Sequence, residues 1–226
     1  MSELVPKVGV EFKNPDLLKQ AVTHRSYLNE NRGYALDHNE RLEFLGDAVL
    51  ELVVTEYLYN HFPNPEGELT SWRAALVNGD MLATIARTLD VEQYLLMSKG
   101  ESKDVGRART YLLANAMEAI IGALYLDQGY EAARDFVLKT VVVRLEEILR
   151  DKTHVDPKSY FQERAQEDLR ITPSYRVIKE WGPDHDKHFV VGVYLGELLV
   201  AEGEGNSKQE AQRHAAKQAL DNRGWV

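Results

Sequence analysis

The sequence has no cysteine among its 226 residues. Without thiols it can form no disulfide framework, no thiolate zinc site and no cysteine nucleophile. The absence also fits a reducing compartment, where disulfides are rare. Disulfide-stabilised secreted domains, cysteine-ligated zinc proteins and thiol enzymes are therefore excluded.

Long apolar runs are missing as well. No stretch reaches the roughly 18 apolar residues of a membrane-spanning helix, and residues 1–11 lack the basic start and apolar block of a secretory signal. We therefore expect no membrane partner and a cytoplasmic location. Hydrophobic residues at 44% and charged residues at 28% are close to globular averages, which argues against extensive disorder.

Basic residues are in deficit, because 27 lysines and arginines stand against 36 aspartates and glutamates, a formal net charge of −9. Such a charge argues against a nucleic-acid partner, since proteins that bind polyanions usually have basic surfaces. The deficit is uneven: residues 1–153 carry 17 basic and 24 acidic groups, and residues 154–226 carry 10 and 12. Most of the negative charge therefore lies in the first part of the chain.

The apolar pattern divides the chain near residue 150. Residues 1–150 have apolar positions at helical spacing and little strand-like alternation, which predicts an all-α domain. Residues 151–156 are polar and precede Pro157, as is typical of a linker. Residues 157–226 show a helix, three strands and a helix, which predicts a small α+β domain of order αβββα.

Helices in the first domain are predicted to begin at Pro15 and to cover residues 38–62, 67–89 in two parts, 111–126 and 131–149. Large side chains expected to fill its core are Tyr57, Tyr59, Phe62, Trp72 and Met81.

The predicted helix at 38–62 carries a row of carboxylates. At about 100° per residue, four acidic side chains fall within about 80° on one face: Glu40, Glu43, Asp47 and Glu51. Carboxylates at this spacing repel one another, and between Gly33 and His61 the sequence has Arg41 as its one lysine or arginine. The row is either a solvated acidic face or one side of a cation site.

The predicted helix at 111–126 is apolar on nearly all sides. Between Leu112 and Leu124 its polar side chains are Asn115 and Glu118, which lie three residues apart on one face. A helix apolar all round is usually buried, and a buried carboxylate must be paired, protonated or metal-bound. The two residues therefore pair helices through a hydrogen bond or ion pair, or they contribute to a metal site.

Both stretches offer oxygen ligands only. If the helices face each other, they supply four oxygen donors and no nitrogen or sulfur: Glu43, Asp47, Asn115 and Glu118. This set suits Mg²⁺ or Mn²⁺ better than zinc or copper, and such cations most often serve phosphoryl chemistry. The sequence has no Glu-x-x-His pair of a di-iron bundle and no P-loop, zinc-protease or serine-hydrolase motif.

The run Asn-Glu-Arg-Leu-Glu-Phe-Leu-Gly-Asp at residues 39–47 closely resembles the signature of ribonuclease III, the double-stranded-RNA endonuclease. Pro-Glu-Gly-Glu-Leu at 65–69 and Ala-Asn-Ala-Met-Glu-Ala at 114–119 extend the resemblance, which covers residues 7–224. It implies a Mg²⁺-dependent homodimer, with Mn²⁺ as a possible substitute and no small-molecule cofactor. Such an enzyme cuts both strands of structured precursors such as rRNA and mRNA, leaving 5′-phosphate and 3′-hydroxyl ends.

The resemblance also implies residue roles. Asp47 and Glu118 would be catalytic. The implied metal ligands are Glu43, Asp47, Asn115 and Glu118; the acidic residues lining the cleft are Glu40 and Glu68; and the dimer contact is Phe44.

Asn115 departs from the family pattern, which most often has aspartate at this position. An amide oxygen can bind Mg²⁺ but brings no negative charge, so we expect activity with a raised Mg²⁺ requirement. The departure leaves open a weakened or inactive double-stranded-RNA-binding protein of the same fold. A more distant reading is a helical metal-storage or structural protein with an added RNA module.

The αβββα unit resembles a double-stranded-RNA-binding domain, which contacts two minor grooves and the phosphates between them. One polar face of its first helix, one loop residue and the start of its last helix are expected to bind RNA. These residues are Ser159, Gln162, Glu163, Gln166, His185, Ser207 and Lys208. At the start of the last helix, free N–H groups and the positive end of the helix dipole favour phosphate.

Overall fold

The computed structural model describes residues 8–103, 105–150, 156–183 and 187–225. The chain forms two compact units, Met1–His154 and Val155–Val226. The helices of the first unit and the αβββα order of the second confirm the predicted fold class. Of the predicted linker, residues 151–155 lie outside the described residues.

The first unit is helical. Its helices are α1 (Pro15–Ala21), α2 (Arg25–Glu30), α3 (Glu40–His61), α4 (Glu66–Val77), α5 (Gly79–Thr88), α6 (Arg107–Gln128), α7 (Tyr130–Thr140) and α8 (Leu145–Arg150). Short 3-10 helices lie at Val91–Tyr94, Glu101–Lys103 and Val142–Arg144. None of the helices in the described ranges is long and apolar enough to cross a membrane.

Asparagine side chains cap the start of two of these helices. The Asn14 side chain accepts a hydrogen bond from the Asp16 N–H, and Pro15 occupies the first turn of α1. The Asn78 side chain likewise accepts from the Met81 N–H at the start of α5. These local caps explain why the predicted start at Pro15 and the predicted break within 67–89 are confirmed.

The single helix predicted over 131–149 is wrong. The chain leaves α7 at Thr140, passes through the 3-10 helix Val142–Arg144 and resumes as α8 at Leu145. Three consecutive valines at 141–143 favour the break, because branching at Cβ restricts side chains against the preceding helical turn. Apolar residues keep helical spacing both before and after residues 141–144, so the apolar pattern alone does not reveal the break between the two helices.

Helices α3 and α6 form the centre of the first unit. Along α6 the fully buried side chains include Leu113, Met117, Ile120, Ile121 and Leu124. Trp72 is buried and Tyr57, Phe62 and Met81 are partly buried, as predicted. Tyr59 is 79% exposed, so its assignment to the core is wrong. It follows the buried Leu58 by one residue and therefore points about 100° away around the helix.

The second unit is a three-stranded antiparallel sheet with two helices. Its elements are α9 (Pro157–Leu169), β1 (Ser174–Trp181), β2 (His188–Leu195), β3 (Leu198–Gly205) and α10 (Lys208–Arg223), with strand order β1-β2-β3. Phe161 of α9, Val193 of β2 and Ala215 of α10 lie in one buried cluster. Both helices therefore cover the same face of the sheet.

Candidate active site

Two glycines allow close contact between the helices that carry the acidic residues. A Cβ atom placed on Gly46 of α3 would overlap the backbone carbonyl of Glu118 on α6. A Cβ on Gly122 of α6 would overlap the carbonyl of Leu42 on α3. A mid-helix glycine costs about 1 kcal/mol relative to alanine, and here close backbone contact requires it. The crossing brings the acidic face of α3 to the polar positions of α6.

At this crossing the structure brings together Glu43, Asp47 and Glu118. Burial, followed by the charges of Asp47 and Glu43, raises the pKa of Glu118 to about 7. Burial also raises the pKa of Glu43, followed by repulsion from Glu40, whereas His24 lowers it and Asp47 raises it. Asn115 lies one turn before Glu118 on α6 and is half-buried like Glu118.

The three carboxylates of the cluster carry like charges. Within the described residues, none of Glu43, Asp47 and Glu118 forms an ion pair with lysine or arginine. A cation would relieve their repulsion, and the carboxylate and amide oxygens match the preferences of Mg²⁺ and Mn²⁺. In the described parts of the chain, no three His, Cys, Asp or Glu side chains are arranged to hold a metal ion by themselves. The donor atoms therefore fit a divalent cation, although the carboxylates are not arranged to surround one by themselves.

The two further acidic residues occupy different positions. Glu40 is exposed in the first turn of α3, where its carboxylate lies 3.9 Å from Arg25 and 3.8 Å from His38 Nδ1. Its charge helps to raise the pKa of Glu43, so it borders the cluster. Glu68 is exposed in the first turn of α4 and accepts a hydrogen bond from Asn64 Nδ2 at 2.8 Å.

Phe44 is the exposed aromatic residue next to this cluster. Its side chain is 82% exposed, although it directly follows Glu43 on α3. A phenyl ring in this position loses the hydrophobic free energy that burial would provide. It is therefore a candidate for contact with another surface.

One histidine, His24, lies beside the cluster and forms structural contacts there. His24 Nδ1 lies 2.8 Å from Glu101 Oε2 and 2.9 Å from Ser26 Oγ, and the Ser26 hydroxyl also donates to Glu101. These contacts tie the start of α2 to the 3-10 helix at Glu101–Lys103, next to Glu43. Because Glu101 lies 75 residues beyond Ser26, no local spacing could have indicated the contact.

The predicted RNA-binding residues of α9 share one exposed face. Ser159, Gln162, Glu163 and Gln166 are all exposed. The Ser159 hydroxyl donates to Asp156 Oδ2 at 2.8 Å and so belongs to the cap of α9. Gln166 accepts a hydrogen bond from the Thr172 hydroxyl at 3.0 Å. His185 lies outside the described residues.

The start of α10 is more fully capped than expected. The Ser207 hydroxyl accepts from the Glu210 N–H at 3.1 Å, and the Glu210 carboxylate accepts from the Asn206 N–H at 2.8 Å. The pair resembles a capping box, except that Glu210 reaches the N–H of the residue before the N-cap Ser207, and it uses two N–H groups at the start of the helix that would otherwise be open to phosphate. Lys208 is exposed next to it and supplies a positive charge.

Comparison with known proteins gives a match for each unit. Residues 14–145 match the family model described as ribonuclease-III-like, and residues 157–223 match the double-stranded RNA binding motif. The fold and the site thus define a helical, acidic nuclease-type domain that is followed by an RNA-binding module.

Relatives extend the match over nearly the whole chain. Ribonuclease 3 of Desulforamulus reducens is 45% identical over 220 residues, which cover 97% of this chain and 89% of the relative. Ribonuclease 3 of Geobacillus kaustophilus is 47% identical over 221 residues, with the same two coverages, 97% and 89%. A solved nuclease domain of ribonuclease III from Campylobacter jejuni has 43% identity and a TM-score of 0.56, covering 62% of this chain and 94% of that chain. The chain belongs to the ribonuclease III family.

Proposed function

We propose that this protein hydrolyses both strands of double-stranded RNA at a divalent-cation site, leaving 5′-phosphate and 3′-hydroxyl ends. The observation that carries the proposal is the crossing of α3 and α6, which places Glu43 and Asp47 beside Glu118. A duplex-RNA module in the same chain supplies the matching substrate. An acidic cluster is otherwise an unfavourable neighbour for phosphate, so the cation connects the two features.

The residues that would hold Mg²⁺, or Mn²⁺ in its place, are Glu43, Asp47, Asn115 and Glu118. The cation would supply activation of water and stabilisation of negative charge on the phosphate. Asp47 and Glu118 would act closest to the scissile bond, with Glu40 and Glu68 lining the cleft. Because its pKa is about 7, Glu118 retains part of its proton at neutral pH and must release it to become an anionic ligand.

The RNA module would hold the duplex. The exposed polar face of α9 can exchange hydrogen bonds with 2′-hydroxyls and base edges, and Lys208 can contact phosphate. These residues carry no carboxylate cluster of their own, so binding and chemistry are divided between the two units. We propose structured rRNA and mRNA precursors as substrates, cleaved in the cytoplasm without a small-molecule cofactor.

We further propose a homodimer in which Phe44 lies at the contact between subunits. An 82% exposed phenyl ring beside the acidic cluster supports this assignment. The Campylobacter jejuni nuclease-domain structure is itself described in terms of a region involved in dimer formation. Two acidic clusters in one assembly would permit one cut in each RNA strand.

Cleavage is tested with end-labelled duplex RNA incubated with Mg²⁺ or with a chelator. We expect products with 5′-phosphate and 3′-hydroxyl ends only when Mg²⁺ is present, and no cleavage of single-stranded RNA. Duplex binding without cleavage would instead match the inactive alternative raised by Asn115. The site retains Glu43, Asp47 and Glu118, which favours cleavage over that alternative.

Replacing Asn115 by aspartate is expected to lower the Mg²⁺ requirement. The added carboxylate increases the negative charge of the ligand set, which strengthens the binding of hard cations. We expect the half-activating Mg²⁺ concentration for duplex cleavage to fall by about tenfold, on the order of 1.4 kcal/mol. Superimposable Mg²⁺ titrations of the two proteins would contradict this, and Asn115→Ala serves as the variant that removes the donor.

Replacing Phe44 by alanine is expected to weaken the dimer. Truncation of an aromatic anchor at an interface typically costs about 1–3 kcal/mol, so the dimer dissociation constant should rise by about 5- to 150-fold. Sedimentation velocity at several concentrations measures the change. Leu126→Ala, at another exposed apolar residue, is the control and should leave the constant unchanged. Equal effects of both substitutions would remove Phe44 from the interface.

A further inference from the structure

One face of the sheet in the second unit is not covered by its helices. The side chains of Val191 and Val193 point to the face on which α9 and α10 pack. Side chains at alternate positions of β2 point to the opposite, outer face. On that outer face Ile178 and Leu199 are 45% and 40% exposed. Two large aliphatic side chains are thus displayed to solvent in a module of about 70 residues.

The centre of the outer face is an apolar patch built around a glycine. A Cβ atom on Gly192 would lie 2.8 Å from the Cδ1 atoms of both Ile178 and Leu199, and 3.0 Å from Tyr194 Cε2. The three side chains therefore converge over the glycine. The register of β1 shifts between Val177 and Lys179, so that Ile178 lies in a bulge. We call Ile178, Gly192, Tyr194 and Leu199 the outer-face patch.

Opposite charges flank this patch. Residues paired directly across antiparallel strands point to the same face, so each cross-strand row can be read from the register. Two rows repeat the order cation, apolar residue, anion: Arg176–Gly192–Glu202 and Lys179–Val190–Glu204. The outer face is therefore basic along β1, apolar along β2 and acidic along β3.

The charged groups at both edges are accessible. Lys179, Glu202 and Glu204 are exposed. The Arg176 guanidinium lies 4.8 Å from the Tyr194 ring and 3.4 Å from Glu197, but both members of that ion pair are more than half exposed. Such an exposed pair is weak and can exchange partners at low cost.

We propose that the outer face binds the outer face of a second copy of this chain. If the two copies are related by a two-fold axis parallel to β2, the outer-face patch of one copy lies on the outer-face patch of the other. The basic edge of each copy then lies over the acidic edge of its partner. A two-fold axis across the strands would instead put like charges together. The order of charges thus selects both the partner and its orientation, independently of cleavage.

The contact would be weak and would leave the RNA-binding residues free. Three strands of eight residues, at spacings of about 4.8 Å and 3.4 Å, give a footprint of roughly 390 Å² per copy. The total is below the roughly 1,200 Å² of stable interfaces, so we expect a dissociation constant on the order of 10–100 µM. Helix α9 packs on the other face of the sheet, so two joined modules could each hold a duplex.

Self-association is measured by sedimentation velocity of the full chain over a concentration series at low and high salt. The species present at the lowest concentration, either a monomer or the proposed Phe44 dimer, serves as the reference. A monomer there would contradict the Phe44 dimer without deciding whether the outer faces associate. We expect larger species to form as concentration rises and to weaken at high salt, because the edge charges are screened. A species distribution independent of concentration would overturn the proposal.

Two charge-reversed chains test the orientation. Arg176→Glu with Lys179→Glu makes both edges acidic, and Glu202→Lys with Glu204→Lys makes both basic. Each variant alone should associate at least about tenfold more weakly than the original chain, and an equimolar mixture should recover to within about threefold. Recovery also shows that the variant modules are folded. Unchanged association of the single variants, or a mixture that does not recover, would overturn the proposal.

Binding of RNA to the same face is the competing outcome. Base stacking on exposed aromatic side chains beside cations is the usual mode for single strands. If the original chain does not self-associate, and the Arg176→Glu, Lys179→Glu chain loses affinity for single-stranded RNA, the outer face is an RNA surface and the proposal is wrong.

Discussion

Glu118→Gln is expected to abolish most cleavage while making the metal-free protein more stable. Loss of one charged group that contacts the reacting phosphate or its cation should lower the cleavage rate by about 10²–10³-fold. In the folded protein burial and two neighbouring carboxylates oppose ionisation, which raises the pKa of Glu118 to about 7 from 4.5. The ionised side chain therefore destabilises the fold, and glutamine removes that cost. Single-turnover cleavage and urea unfolding with a chelator measure the two effects.

The stability effect has a defined dependence on pH. A raised carboxyl pKa adds no penalty below about pH 4.5, where the group is protonated in both the folded and unfolded states. The penalty grows between pH 4.5 and 7 and is complete above 7. With allowance for partial solvation, we expect glutamine to raise the free energy of unfolding by about 1–2 kcal/mol at pH 8 and to leave it unchanged at pH 4.

Glu146→Gln provides the matched control, because Glu146 is exposed on α8 and away from the crossing. It should change neither cleavage nor the pH dependence of stability. Mg²⁺ should raise the melting temperature of the original chain and have less effect on Glu118→Gln, since binding to the folded state stabilises it. Cleavage at the original rate by Glu118→Gln would refute the proposed role of this residue.

Gly46→Ala is expected to destabilise the first unit strongly. The new Cβ would overlap the backbone carbonyl of Glu118, which cannot rotate away as a side chain can. Helices α3 and α6 must therefore separate, at a cost of about 3 kcal/mol. Because the shift also moves Glu118 away from Glu43 and Asp47, cleavage by the remaining folded protein should fall by about 10²-fold.

Gly67→Ala is the control for this substitution. Gly67 is helical and exposed in the first turn of α4, and a Cβ there would meet no atom within 4 Å. Alanine should stabilise the protein by up to about 1 kcal/mol through its higher helix propensity. Thermal or urea unfolding of both variants compares the two. Similar stability of Gly46→Ala and Gly67→Ala would show that the helices do not need contact at Gly46.

Much of the architecture follows from local patterns in the sequence. Asn14 and Asn78 begin their helices because each side chain satisfies an N–H group within three residues. The alternation of apolar residues along β2, and the turns on either side of it, predict the sheet of the second unit, because these patterns also depend only on nearby residues. Where local preference and apolar spacing disagree, as at the three valines after Thr140, the spacing alone misplaces the end of a helix.

The candidate site was partly accessible from sequence. The row at Glu43 and Asp47, and the isolated polar pair Asn115 and Glu118, are visible because helical spacing places each set on one face. The contact of His24 with Glu101 was not, because it joins residues separated by 77 positions. Nothing within one helical turn of either residue distinguishes it from an ordinary surface group.

The sequence by itself determined which segments form helices or strands, the order of the two units, and the fact that the acidic and amide side chains offer only oxygen ligands. These features depend on the residues themselves and on their neighbours along the chain. The tertiary structure decided that α3 and α6 cross at Gly46 and Gly122. It also buried Glu118 beside two carboxylates, which raises its pKa to about 7, and it ordered the outer face of the sheet from basic to acidic. Packing alone sets these, because distance, desolvation and repulsion depend on which surfaces meet.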